Sequence, residues 1–160
     1  MDTIEEVKEV FDKAKKEIKF NISFEELDEN FSFVDKCLNT IMGTNNPGAL
    51  IRNNIMDKIT YVTNYLYSLA IPSNSSMIVD SERNLFTDED AERFIHFIDK
   101  LMYFNAKQNL TTLNLSVEKE KEFIDESVEF YIKVLKPELK RIYSIIEKYW
   151  KDSFENNKLN

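Results

Sequence analysis

The chain has two glycines, three prolines, one cysteine and one histidine in 160 residues, and each scarcity removes a class of protein. A single cysteine, Cys37, excludes an intrachain disulfide and any cysteine metal cluster. It sits among apolar residues in VDKCLNTIM and reads as a small buried hydrophobe rather than a reactive thiol, which needs cations or a helix N-terminus beside it. A single histidine, His96, excludes two-histidine zinc motifs and the paired Glu-x-x-His di-iron site of helical bundles within one chain. No apolar run approaches the roughly 18 to 20 residues that cross a bilayer. The first residues, MDTIEEVKEV, are acidic and amphipathic, unlike a secretory signal, so the expected compartment is the cytoplasm. Positive charge is also short. The net charge of −8 repels nucleic-acid phosphate and anionic lipid, and neither is an expected partner. The lysines that do cluster, Lys13, Lys15, Lys16 and Lys19, and later Lys136, Lys140 and Arg141, read as solvated helix faces.

Both glycines fall in one stretch, GTNNPG, residues 43 to 48. The spacing matches the first half of a phosphate-binding P-loop. Ala49 and Leu50 then stand where lysine and serine or threonine belong, and the segment before is helical rather than a strand. What remains is a joint between helices: Gly43 as the left-handed C′ residue, Asn46 as the next N-cap, Pro47 as N1, and Gly48 keeping the turn tight. A weaker reading lets the N-terminus of the second helix and Arg52 hold a small anion.

What is present is helical periodicity. Ile4, Val7, Phe11, Ala14 and Ile18 form one apolar seam, predicting a helix over about 2–19. Ser23 and Glu26 form a capping box, and Phe24, Leu27, Phe31, Val34, Leu38 and Ile41 continue a second helix to Gly43. A third runs from Pro47 along Ile51 or Leu50, Ile55, Ile59, Val62, Leu66 and Leu69, ending before Pro72. Residues 71–86 are the longest segment without helical signals, with Met77, Ile78 and Val79 as anchors or a short strand. Thr87 caps a fourth helix, and 110–115 reads as a linker. The last helical run, from 117 to about 152, is interrupted by Pro137, where a kink or tight joint is expected. The fold class is therefore all-α: an up-and-down antiparallel bundle of five to six helices with a four-helix core. It forms a single domain over 1–152, with a frayed tail at 153–160.

Two constellations point to chemistry. Glu92, His96 and Asp99 share one helix face and could contribute to a metal site, although a polar helix surface has the same pattern. The second is carboxylate spacing: EEVKE at 5–9, then EELD at 25–28. This E-E-x-x-E, spacer, E-x-x-D arrangement resembles the magnesium-binding pattern of the all-α nucleoside triphosphate pyrophosphohydrolases of MazG type. The resemblance implies a magnesium ion held by Glu6, Glu9, Glu25 and Asp28, and a nucleotide as substrate. Four carboxylates from two helices suit a hard cation that binds phosphate oxygens.

The sequence also carries more apolar surface than a four-helix core requires. Tyr61 and Tyr65, then Phe94, Phe97 and Phe104, then Phe123 and Phe130 lie on or beside the main seams. Such a surplus either wraps extra helices or forms an aromatic interface. The leading expectation is a non-catalytic bundle protein acting through protein–protein contact, as a homodimer and without a cofactor. The magnesium-dependent nucleotide hydrolase is the alternative.

Overall fold

A computed structural model describes residues 3–39, 46–72 and 77–156. These residues are helical, with no strand among them. The first helix, α1 (Ile4–Ile18), is capped by Thr3, whose side chain accepts from the Glu6 N–H. Glutamates in its first turn and lysines in its last follow the helix dipole. It buries Val7, Phe11, Ala14 and Ile18, four of the five residues of its sequence seam, and leaves Ile4 exposed.

The next two helices correct the sequence reading. A single helix to Gly43 was expected; the chain instead forms α2 (Phe24–Phe31) and α3 (Phe33–Leu38), broken at Ser32. Ser32 takes the left-handed conformation, φ 53°. Its N–H closes α2 on the Asp28 carbonyl, while Asp28 Oδ1 accepts from the Val34 N–H and caps α3. The break rotates the helix. Phe33 and Cys37 now point inward, Leu38 points out, and Phe33 packs edge-on against Phe11 and Phe24. Gly43 and Ile41 lie outside the described residues.

Helix α4 (Pro47–Ala70) begins as expected, with Asn46 accepting from the Ala49 N–H and Pro47 in the first turn. It is the central column, packed against α1, α2 and α3 and also against the helices that follow. The segment read as non-helical contains α5 (Met77–Arg83), which lies on α4. The Arg83 guanidinium donates to the Ser68 carbonyl, one of the orphan acceptors at the end of α4. Helix α6 (Asp88–Leu113) has a full capping box between Thr87 and Asp90 and continues through most of the expected linker.

The last run is continuous. α7 (Val117–Phe130) passes through a π-helical segment, Tyr131–Leu135, into α8 (Lys136–Asn156), a rod of about 60 Å at 1.5 Å per residue. The π segment answers the Pro137 question. A proline ring clashes with the carbonyl four residues back and removes one N–H, and a local widening of the helix absorbs both faults without ending it. α8 extends to Asn156, into the tail expected to fray.

Side-chain contacts establish the directions. Early α4 meets late α6 through Arg52 and Gln108, and early α7 through Arg52 and Glu120. Gly48, at the start of α4, lies beside Ile18, at the end of α1. α1 and α6 therefore run one way and α4 and α7–α8 the other, an up-and-down four-helix core with α2, α3 and α5 as additions. One contiguous apolar cluster joins all four columns, from Val7 and Phe11 through Ile55 and Leu66 to Phe94, Ile124 and Ile142. Each such fully buried side chain stabilises by about 1.5–3 kcal/mol, so this core dominates over surface ion pairs worth about 0–1 kcal/mol each.

Candidate interaction surface

The four carboxylates of the magnesium pattern have separate surroundings. Glu6 and Glu9 border an open hollow on α1 with Val10 and Lys13. Glu25 is exposed on α2. Asp28 is taken up by capping α3 through the Val34 N–H, 2.8 Å away. Lys8 of α1 lies over the ring of Phe24 of α2, 5.7 Å from its centroid. Glu92, His96 and Asp99 are solvent-exposed on α6. Among the described residues, no three His, Cys, Asp or Glu side chains gather to hold a metal ion.

The anion reading of Arg52 meets a direct obstacle. Arg52 is buried, and its Nε donates to Glu120 Oε1 at 2.8 Å. Its Nη1 donates to Gln108 Oε1 at 3.1 Å and Thr112 Oγ1 at 3.2 Å. Glu120 thus occupies the place at the start of α4 where an external anion would sit, beside the face that Gly48 leaves open. Gly48 has no positive φ. It is small because a Cβ there would come within 2.5 Å of Ile18 Cδ1 and 2.9 Å of Glu120 Oε1. Cys37 is fully buried, and desolvation pushes its thiol up to about 11, the behaviour of a core residue.

The expected interface residues divide sharply. Phe94, Phe97, Phe104 and Phe123 are buried within the chain, so these four cannot form an exposed face. Phe94 packs edge-on against Phe86, and Phe104 and Phe97 lie against the half-buried Phe130. These phenylalanines of α6 and α7 are therefore taken up by packing within the chain and by the turn before α6. Sequence periodicity could not separate these cases, because a second apolar strip looks alike whether a neighbouring helix or a partner covers it.

Tyr61 and Tyr65 behave differently. Tyr61 is 60% exposed on α4. Tyr65, one turn on, stacks with Tyr143 of α8 at 5.4 Å between ring centroids and 30° between planes. Burial first, then the neighbouring Tyr143, Glu82 and Tyr61, raise the Tyr65 hydroxyl well above its ordinary pKa. Farther along α8, Trp150 is partly exposed and donates its indole N–H to Glu82 Oε1 of α5 at 2.9 Å. Tyr149 lies edge-on to it. A band of aromatic rings thus lies across α4 and α8, joined where Tyr65 stacks on Tyr143. Sequence reasoning missed Tyr143 and Trp150, because a single ring off a helix's buried seam shows no local sign of what the fold brings beside it.

No known protein family, curated protein or solved structure matches this chain.

Proposed function

We propose that this chain is a non-catalytic cytoplasmic protein that acts through protein–protein contact, pairing with a second copy of itself through the α4–α8 aromatic band. The observation that carries the reading is the set of Tyr61, Tyr65, Tyr143 and Trp150 on two long helices, with Tyr65 stacked on Tyr143, and with Tyr61, Tyr143 and Trp150 substantially exposed. Tyrosine and tryptophan are enriched where interfaces form, because a rigid ring supplies large contact area at low entropic cost and its polar tip finds a partner. Charge supports a protein partner over nucleic acid, since a net charge of −8 repels phosphate. A two-fold dimer is the simplest closed assembly for such a face.

The test is light scattering across micromolar concentrations, with the emission of Trp150, the only tryptophan, followed in parallel. A concentration-dependent dimer that Tyr61→Ser and Tyr143→Ser weaken supports the proposal. A strictly monomeric mass overturns it. Magnesium with a panel of nucleotides separates the hydrolase alternative: a ligand-dependent rise in melting temperature would favour it.

A further inference from the structure

We propose that the groove between α3 and α4 is a binding site for a small zwitterion of the α-amino-acid class. The groove is open to solvent and encloses about 480 Å³, within the size range of ligand pockets. Its two walls carry the same sequence pattern. Along α3 and its cap run Ser32, Asp35, Lys36 and Asn39; along α4 run Asn54, Asp57, Lys58 and Tyr61. Each set recurs at spacings of three and four and so lies on one helix face.

Three observations define the ligand. Asn54 is 3% exposed at the floor of the groove, where its Nδ2 donates to the Phe31 carbonyl at 3.0 Å. Its Oδ1 is the one buried side-chain atom among the described residues without a hydrogen-bond partner. A buried acceptor left unpaired is costly, and it calls for a donor entering from the groove. The two walls offer two cross-groove Asp–Lys pairs, and only one is made. Lys36 and Asp57 form an ion pair, whereas among the described residues Asp35 and Lys58 have no ion-pair partner. Lys58 reaches only the face of Tyr131, 6.0 Å from the ring centroid. The groove therefore presents one uncompensated negative charge, one uncompensated positive charge and one unsatisfied acceptor. A molecule carrying an ammonium and a carboxylate a few bonds apart meets all three: the ammonium faces Asp35 and Asn54 Oδ1, and the carboxylate faces Lys58.

The site is tested by titrating glycine, L-alanine, L-glutamine and L-phenylalanine into the isotope-labelled full chain and following amide resonances. The expected result is a saturable shift of residues 31–39 and 54–61, including the Asn54 side-chain amide, with a dissociation constant on the order of 1 mM. Asp35→Asn and Lys58→Gln each weaken binding about tenfold or more, as loss of a charge-assisted hydrogen bond requires. Both side chains lie at the surface, so the unchanged remainder of the spectrum reports that the variants fold. Acetate alone and methylammonium alone move the same resonances far less. The proposal is overturned by no saturable shift up to about 20 mM. It is equally overturned if a single-charge probe binds as well as the amino acids, or if both variants bind like the parent. Failure of the aromatic-band dimer would leave these outcomes readable, because the two readings share only Tyr61 and binding is tested at Asp35, Lys58 and Asn54.

Discussion

Gly48 is held to its identity by space rather than by backbone conformation. A methyl group there meets Ile18 Cδ1 and Glu120 Oε1, and Glu120 cannot retreat easily because Arg52 pins it. Gly48→Ala is therefore expected to destabilise by about 1–3 kcal/mol, the usual cost of overpacking, measured by urea unfolding. The Arg52–Glu120 pair gives a second expectation. Arg52→Met leaves a buried carboxylate uncompensated and should cost about 3–5 kcal/mol, while adding Glu120→Leu to the same chain should recover much of that loss. Tyr131 carries a third. Burial, then the neighbouring Tyr143, push its hydroxyl up to about 12. A raised folded-state pKa means that this contribution to stability is complete below the unfolded value near 10 and is lost as pH rises toward 12. Absorbance titration should show Tyr131 ionising late, with unfolding setting in above about pH 10. Ionisation near the ordinary value would contradict its burial.

At the scale of elements, helix ends account for much of the local structure. Thr87 and Asp90 exchange hydrogen bonds at the start of α6, and Asp90 also takes Arg141 of α8 at 2.7 Å. Burial works to raise the Asp90 pKa, but the Thr87 backbone N–H and the Arg141 guanidinium outweigh it and hold the carboxyl below its ordinary value. A lowered folded-state pKa makes this stabilisation complete above the unfolded value near 4 and lost as pH falls through the folded one. Asp90→Asn should therefore flatten the acid side of the stability–pH curve below about pH 4, read by denaturation at several pH values. Thr87→Ala should cost about 1 kcal/mol at neutral pH. The same capping chemistry made the starts of α2, α4 and α6 readable from Ser23, Asn46 and Thr87. The α2–α3 break was not readable. Ser32 carries no signal for a left-handed conformation, and Asp28, which caps the new helix, also fits an ordinary helical position. Burial of Phe33 and Cys37 offsets the roughly 1–2 kcal/mol that a non-glycine residue pays there.

For the whole molecule, charge and shape make opposite demands. Two chains of net charge −8 repel one another at long range, so a dimer through the α4–α8 band must be held by short-range ring contact. Raising ionic strength screens the repulsion and leaves apolar contact intact. Association measured by sedimentation is therefore expected to strengthen between low salt and about 0.15 M. Weakening with salt would mean that ion pairs, not rings, hold the copies together. No helix among the described residues is long and apolar enough to cross a membrane, in keeping with short apolar seams rather than continuous runs.

The sequence by itself determined the all-α class, the four long columns and most of their buried seams, because 3.6-residue periodicity and cap residues are local properties of the chain. It also determined which residues were candidates for contact. Tertiary structure alone decided which apolar strips were already covered: Phe94, Phe97, Phe104 and Phe123 went inside, while Tyr61 stayed out beside Tyr143. It decided as well that Glu120 would occupy Arg52, and that, among the described residues, Asp35 and Lys58 would have no ion-pair partner across a groove. The reason is the same in each case. Burial and pairing depend on residues distant in the chain, and the energy of a side chain is set by what the fold brings against it rather than by its neighbours in sequence.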